Sequence, residues 1–192
     1  MQKPNNYENV KAGGYTPPAL GGHHIIIKKV VEGQSKKGKP MITVLFDFAD
    51  NDVQPGLFME EFKNDTRENK KWSRSGTAYI VTVDENGDCS KNLKRFITSY
   101  EQSNGIPENG AVWGDKFAEQ FVNKRIGGVY GEVENEYNGK RSMRSELRWF
   151  CTDDKVDGVS IPDPVYLKNA APTSNNDFTA IPDNLADLMP WG

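Results

Sequence analysis

The sequence is poor in the residue types that build metal centres and nucleophilic active sites. It has two cysteines, Cys89 and Cys151, which lie far apart and outside any CxxC motif, and its two histidines are the adjacent residues His23 and His24. Zinc sites need cysteine and histidine ligands at short, repeated spacings, and this sequence offers none. Neighbouring side chains of an extended strand point to opposite sides, so we expect strand-edge histidines rather than a metal pair.

Patterns typical of catalysis are also missing. The sequence contains no spacing typical of Ser/His/Asp or Cys/His nucleophiles and no glycine-rich phosphate loop. Asp47, Asp50 and Asp52 lie close together, but they lack the loop and closing glutamate of a calcium hand, and we interpret them as a strand end followed by a turn. We therefore expect a protein that is not an enzyme and uses no metal or cofactor.

Long apolar runs are absent as well. No stretch is apolar over the length that a bilayer-spanning helix needs. The first residues, Met1-Gln2-Lys3-Pro4-Asn5-Asn6, carry no apolar signal region. We expect a cytoplasmic protein with reduced thiols and no membrane partner.

Charge is present in both signs but is unevenly placed. The chain of 192 residues has 24 Lys and Arg against 27 Asp and Glu, a net charge of -3. Asp177, Asp183 and Asp187 all lie after Lys168, where no further Lys or Arg occurs, so residues 1–168 are balanced. A balanced body permits local basic patches, and such patches, rather than the sum, attract phosphates.

The strongest structural signal is a hairpin over residues 24–48. Two runs rich in β-branched and aromatic residues flank a basic loop that contains glycine. Alternation in the second run predicts one buried face, formed by Ile42, Val44, Phe46 and Phe48. The loop must project into water because its lysines cannot be buried together without partners; they are Lys36, Lys37 and Lys39.

The middle of the chain predicts two more strands, a loop and a helix. Leu57–Phe62 is predicted as a third strand and Ala78–Val83 as a further short one, separated by an exposed loop that holds Trp72 among cations. Ser90 is a good N-cap for a helix from Lys91 to Ser103 with one apolar stripe. Asn104-Gly105 should end that helix. A second short helix is predicted from Asp115 to Asn123, with Phe117, Phe121 and Val122 buried.

Residues 125–151 predict a second hairpin with its turn at Asn138-Gly139. A two-residue turn would place Val133 opposite Arg144, whereas a three-residue turn that includes Tyr137 would place Val133 opposite Met143. The second register separates an apolar face from a charged one, so we choose it. It places Trp149 on the apolar face.

The order of elements predicts a mainly β fold with helices. Strands, one helix and then two strands follow the order of the OB-fold, a five-stranded barrel with a helix between strands three and four. We place this domain at residues 24–168, after an irregular Gly- and Pro-rich arm at 1–23 and before an acidic, apolar tail at 169–192. OB-folds bind oligonucleotides in a groove flanked by the loops that join strands one to two and four to five.

The sequence also resembles a group of phage and prophage replication proteins of Gram-positive hosts. The likeness rests on Gly38-Lys39-Pro40-Met41, on Asn92-Leu93-Lys94-Arg95-Phe96 and on Val129 through Lys140, and it covers roughly residues 20–168. It implies an OB-fold protein that coats single-stranded DNA without catalysis in DNA replication or recombination. The tail is similar in character to the partner-docking tails of bacterial single-stranded-DNA-binding proteins, although Gly192 stands where those end in Phe.

Three basic segments are predicted to converge on one DNA-binding groove. Trp72 would stack on bases or fold back on the core, and Arg144 and Arg148 would contact phosphate or pair with Glu132 and Glu146. Phe46 and Phe48 are expected in the core. The lysines would contact DNA or remain solvated. The candidate DNA-binding residues are Lys36, Lys37, Lys39, Arg67, Lys70, Lys71, Trp72, Arg74, Lys140, Arg141, Arg144 and Arg148.

The predicted function is therefore sequence-nonspecific binding of single-stranded DNA. The alternative is a protein-interaction module of a phage replication complex that does not touch DNA. The tail would recruit replication proteins, or pack on its own body or on a neighbouring chain. Formation of a homo-oligomer is open.

Overall fold

A computed structural model describes residues 2–3, 7 and 15–167 of the chain. The strands are β1 (Gly21–Gln34), β2 (Pro40–Phe48), β3 (Thr77–Val81), β4 (Arg125–Tyr137) and β5 (Lys140–Cys151). The helices are α1 (Leu57–Asn64) and α2 (Lys91–Ser103), with short 3-10 turns at Arg74–Gly76, Glu119–Phe121 and Asp153–Gly158. The prediction of a mainly β fold with helices is confirmed. Lys168 and the tail lie outside the described residues.

All five strands form one antiparallel sheet in the order β3-β2-β1-β4-β5. The long strand β1 pairs with β2 through Ile25–Gln34 and with β4 through Gly21–Ile26. Strands β3 and β5 are the two edges, and no ladder of hydrogen bonds joins them. The described sheet is therefore not closed, and the strand pairing does not establish a barrel.

The first hairpin is confirmed, and its second strand is more deeply buried than alternation predicts. Ile42, Val44, Phe46 and Phe48 are in the core, but Thr43, Leu45 and Asp47 are buried as well. Helix α1 packs against β2, with the Phe58 ring 6.0 Å from that of Phe46 and 4.9 Å from that of Phe48. Both faces of strand β2 are therefore buried, rather than one face as predicted.

The predicted third strand at Leu57–Phe62 is wrong, because these residues form α1. Gly56 adopts the left-handed conformation at φ 65 and begins the helix. The Asp47 carboxylate accepts hydrogen bonds from the amides of Phe58 and Met59, at 2.9 and 3.1 Å, and so satisfies two of the donors that every helix start leaves open. Because Asp47 belongs to β2, the residues next to α1 carry no sequence signal for this cap.

Helix α2 forms over the predicted residues. The Ser90 Oγ accepts a hydrogen bond from the Leu93 amide at 3.1 Å, and the predicted apolar stripe is buried: Leu93, Phe96, Ile97 and Tyr100. The second predicted helix is wrong, because only the 3-10 turn Glu119–Phe121 forms there. Phe117 and Phe121 are buried as predicted, but Val122 is 41% exposed.

The second hairpin forms, but the predicted register is wrong. Asn138 at φ 50 and Gly139 at φ 72 make a two-residue turn, so Val133 lies opposite Arg144. A bulge at Arg148 then shifts the pairing so that Val129 lies opposite Trp149. The criterion of one apolar and one charged face fails here because neither strand has a buried face near the turn: residues 140–144 are exposed and residues 132–135 are only half-buried.

The two histidines lie on opposite sides of β1, as predicted. His23 is buried and stacks on Phe48 with ring centroids 4.1 Å apart, while its Nδ1 lies 2.9 Å from an Asp52 carboxylate oxygen. His24 lies 2.8 Å from Asp153. Within the described part of the chain no helix has the length and apolar character to cross a bilayer.

Candidate nucleic-acid interface

A groove of about 650 Å³ lies between the two edge strands of the sheet. Residues of β3 form one wall and residues of β5 the other, while the first turns of α2 and the segment at residues 73–75 contribute the remainder. Because both edges line one groove, the sheet curls until β3 and β5 face each other. The groove is the place where that curled sheet remains open.

Among the described residues, four arginines and one acidic residue line the groove. Arg74 precedes β3, Arg95 lies on α2, and Arg144 and Arg148 lie on β5. The carboxylate is that of Glu146, which lies 3.5 Å from Arg74. Arginine is suited to phosphate because its fork donates two parallel hydrogen bonds and keeps its charge.

Three of these arginines keep their charge unpaired. Among the described residues no carboxylate lies within ion-pair distance of Arg95, Arg144 or Arg148. The Arg148 guanidinium donates one hydrogen bond to the backbone carbonyl of Asp163 at 3.2 Å. The alternative of pairing with Glu132 and Glu146 is therefore not what the structure shows for Arg144 and Arg148.

The walls between the arginines are apolar and aromatic. Ile80 and Phe150 are buried, whereas Trp149 and Tyr79 are half-buried. The Tyr79 phenol oxygen has no hydrogen-bond partner in the described residues. Burial raises the pKa of Tyr79, against a smaller opposite effect of the Arg74 charge, so the phenol stays neutral at physiological pH.

The structure brings together some of the predicted site residues and not others. Arg74, Arg144 and Arg148 line the groove. The other nine candidates lie outside it: Lys36, Lys37, Lys39, Arg67, Lys70, Lys71, Trp72, Lys140 and Arg141.

Trp72 is a core residue rather than an exposed stacking platform. Its side chain is only 5% exposed, and its ring lies 5.7 Å from that of Phe62. The indole N–H donates to the carbonyls of Gly76 and Phe46 at 3.0 and 3.3 Å. Of the two readings of Trp72, the one that folds it back on the core is therefore correct.

The cations around Trp72 have local partners. Arg67 makes a bidentate pair with Asp65, and that hydrogen bonding holds the pKa of Asp65 well below its usual range. The Lys70 ammonium donates to the Lys63 carbonyl at 3.1 Å and lies over the Phe62 ring. These contacts hold the loop next to α1, and neither Arg67 nor Lys70 lines the groove.

The two hairpin turns are basic but do not reach the groove. Lys36 and Lys37 are exposed in the β1–β2 turn, and Lys39 is half-buried there. In the β4–β5 turn, Arg141 lies 3.1 Å from Glu136 and 3.8 Å from Glu134, so its charge is largely balanced. The predicted convergence of three basic loops is wrong; instead, arginines from β5, from α2 and from the 3-10 turn before β3 line the same groove.

Sequence reasoning missed Arg95, Asn92 and Tyr15, which also line the groove. Asn92 and Arg95 are spaced i, i+3 on the polar side of the α2 stripe, so they share one helix face. That spacing was visible in the sequence, but nothing there shows that this face borders β5. Tyr15 lies in the predicted irregular arm and carries no local signal at all.

No group of three or more residues suited to hold a metal ion occurs among the described residues. The chain matches no protein-family model and no curated protein sequence. The function is therefore inferred from the groove and from the resemblance described above.

Proposed function

We propose that this protein binds single-stranded DNA without sequence specificity and without catalysis, in the groove between β3 and β5. One observation carries the proposal: four arginines from three separate elements line one open groove together with aromatic side chains. Proteins that bind single strands combine a positive groove for the backbone with aromatic rings for the bases.

The apolar walls favour a single strand over a duplex. A duplex keeps its bases stacked inside and presents phosphates, so it would satisfy the arginines and leave the rings of Trp149 and Tyr79 unused. A single strand can place phosphates on the guanidinium groups and bases on the rings at the same time. Contacts of both kinds therefore stabilise only the single-stranded complex.

We further propose that the sheet is an OB-type barrel with an open seam. Strand β1 lies between β2 and β4, β3 and β5 face each other at the edges, and α2 connects β3 to β4. This order of strands and helix supports a five-stranded, partly open OB barrel as the architecture. The groove would then be the seam that the missing β3–β5 ladder leaves.

The biological setting follows from the resemblance to phage replication proteins. We propose a role in phage DNA replication or recombination in the bacterial cytoplasm, with replication proteins as further partners. The tail that would recruit them lies outside the described residues.

The test is a salt titration of binding to single-stranded and double-stranded oligonucleotides of equal length, followed by fluorescence anisotropy. We expect preference for the single strand, with log K falling by about 0.7 per phosphate contacted for each tenfold rise in salt. With three or four phosphates on the groove arginines, the slope should be about -2 to -3.

Two outcomes would contradict the proposal. Equal affinity for both forms would mean that the apolar walls play no part in binding. Absence of binding at low salt would remove DNA as the ligand and would leave a protein-interaction module as the function.

A further inference from the structure

The N-terminal strap, residues 15–20, brings an exposed aromatic ring to the groove. Tyr15 lines the groove beside Arg74 and Ser75, and its side chain is 65% exposed. Its hydroxyl lies 3.2 Å from the Ser75 Oγ. Of the aromatic residues that line the groove, Tyr15 presents the largest exposed fraction, because Tyr79 and Trp149 are half-buried and Phe150 is buried.

The strap is fastened to the body at several points. The Gln54 side chain accepts a hydrogen bond from the Ala19 amide at 2.6 Å and donates one to the Pro17 carbonyl at 3.1 Å. Pro18 is buried between these two contacts. The carbonyl of Ala19 also lies 2.9 Å from the His23 Nε2. Two consecutive prolines restrict the backbone further.

The partner of Tyr15 is itself held by the core. The Tyr130 hydroxyl donates to the Ser75 carbonyl at 2.5 Å, and Tyr130 is fully buried. Ser75, which Tyr15 contacts, is therefore held in place by a residue of the core. A ring that is presented in place loses little conformational freedom when a ligand binds, so its contacts contribute more fully to affinity.

We propose that Tyr15 stacks on a nucleobase of single-stranded DNA held in the groove, and that Gln54 is a positioning residue that holds the strap in place. This inference rests on the proposed function. Every base has a π face, so stacking on Tyr15 adds affinity without adding sequence preference. The phosphates next to that base would meet Arg74, which lines the same groove.

The experiment compares three variants with the wild-type chain for binding of an oligothymidine at moderate salt. Tyr15→Leu should bind about tenfold more weakly, because the aromatic face is lost. Tyr15→Phe should stay within about twofold of wild type, because it keeps the face and loses only the Ser75 contact. Tyr166→Leu is the matched control, since Tyr166 is 66% exposed and does not line the groove.

Salt dependence and stability distinguish stacking from other causes. Tyr15→Leu should leave the slope of log K against log salt unchanged, because no phosphate contact is removed. It should also leave the unfolding midpoint unchanged, because an exposed side chain contributes little to the core. A loss of affinity that comes with a lower slope or a lower midpoint would overturn the inference.

Gln54→Ala tests the strap separately. It should weaken binding, although Gln54 does not line the groove, and its effect should not add to that of Tyr15→Leu. Additive losses would contradict a positioning role. Wild-type binding by Tyr15→Leu would overturn the inference and leave the proposed function intact, whereas failure of the wild-type chain to bind DNA would be a failure of the proposed function.

Discussion

Single side chains decide the local structure around the core, and the buried carboxylate of Asp47 does so at the start of α1. Asp47 is 2% exposed and accepts hydrogen bonds from three backbone amides, those of Phe48, Phe58 and Met59. Burial nevertheless raises its pKa, against the lowering effect of those amides. Glu61, on α1, adds a second carboxylate close to this one.

Glu61 gives a pH-dependent prediction at this scale. Burial raises the pKa of Glu61, against its hydrogen bond with Ser73, and the Asp47 charge adds to the rise. A carboxyl whose pKa is raised in the folded state stabilises the fold at low pH. Its contribution is complete below the pKa that the group has in the unfolded chain, and it is lost as the pH rises through the pKa of the folded state. Glu61 in its charged form is therefore unfavourable at pH 7.

Glu61→Gln should raise the free energy of unfolding at pH 7 by roughly 0.5–1 kcal/mol, because a half-buried charge is removed. The difference should vanish near pH 4, where Glu61 of the wild-type chain is protonated. Denaturant unfolding at both pH values measures this. Glu60→Gln is the control, since Glu60 is exposed on the same helix. A variant less stable than wild type at pH 7 would contradict the account.

At the scale of elements, α2 matters most because it holds Arg95 and Asn92 against the groove. Its N-cap ties it to the sheet: the Ser90 Oγ accepts from the Leu93 amide at 3.1 Å and donates to the Val81 carbonyl at 2.5 Å. Val81 is the last residue of β3. One hydroxyl therefore joins the end of a groove wall to the start of the helix that borders it.

Ser90→Ala should lower the free energy of unfolding by about 1 kcal/mol, because it removes the N-cap hydrogen bond and leaves the Val81 carbonyl without this donor. Ser90→Thr keeps a hydroxyl that can make both bonds and should stay closer to wild type. Thermal unfolding of the two variants is the measurement. Equal stability of all three chains would show that the cap does not hold α2.

Elements with a strong local signal could be predicted from the sequence, and elements made by distant contacts could not. Helix α2 has a cap, a stripe and a stop signal within its own residues, and it forms as predicted. Helix α1 was predicted as a strand. Two amides of its first turn are satisfied by Asp47 of β2, a distant residue, so no capping signal marks the helix in its own sequence. The turn was located correctly at Asn138-Gly139, but it has two residues rather than the predicted three, and a bulge at Arg148 shifts the pairing again further along.

The residues of the candidate site also divide into those with a local sequence signal and those placed by distant contacts. Arg74, Arg144 and Arg148 were found by their charge, and the structure places them in one groove. The charged neighbours of Trp72 leave open whether it stacks on bases or folds back on the core, and only its indole hydrogen bonds to two backbone carbonyls decide this. Arg95 and Tyr15 reach the groove through the curl of the sheet and the path of the strap, which no local pattern encodes.

At the scale of the whole molecule, charge separation explains how an acidic chain can present a basic groove. The net charge is -3, yet the described residues that line the groove include four arginines and one glutamate. Carboxylates outside the groove hold other cations, as Asp65 holds Arg67 and Asp153 lies 3.0 Å from Arg125. Local potential at a groove, rather than the sum of charges, sets the attraction for phosphates.

The most direct test of the groove compares two pairs of substitutions by the slope of log K against log salt for single-stranded DNA. Arg95→Ala with Arg144→Ala removes two unpaired groove charges, and Lys36→Ala with Lys37→Ala removes two exposed charges of the β1–β2 turn. The groove pair should weaken binding and make the slope shallower by about 1.4, because about 0.7 is lost per phosphate contact. The turn pair should leave the slope close to that of wild type. A shallower slope for the turn pair and an unchanged slope for the groove pair would contradict the account.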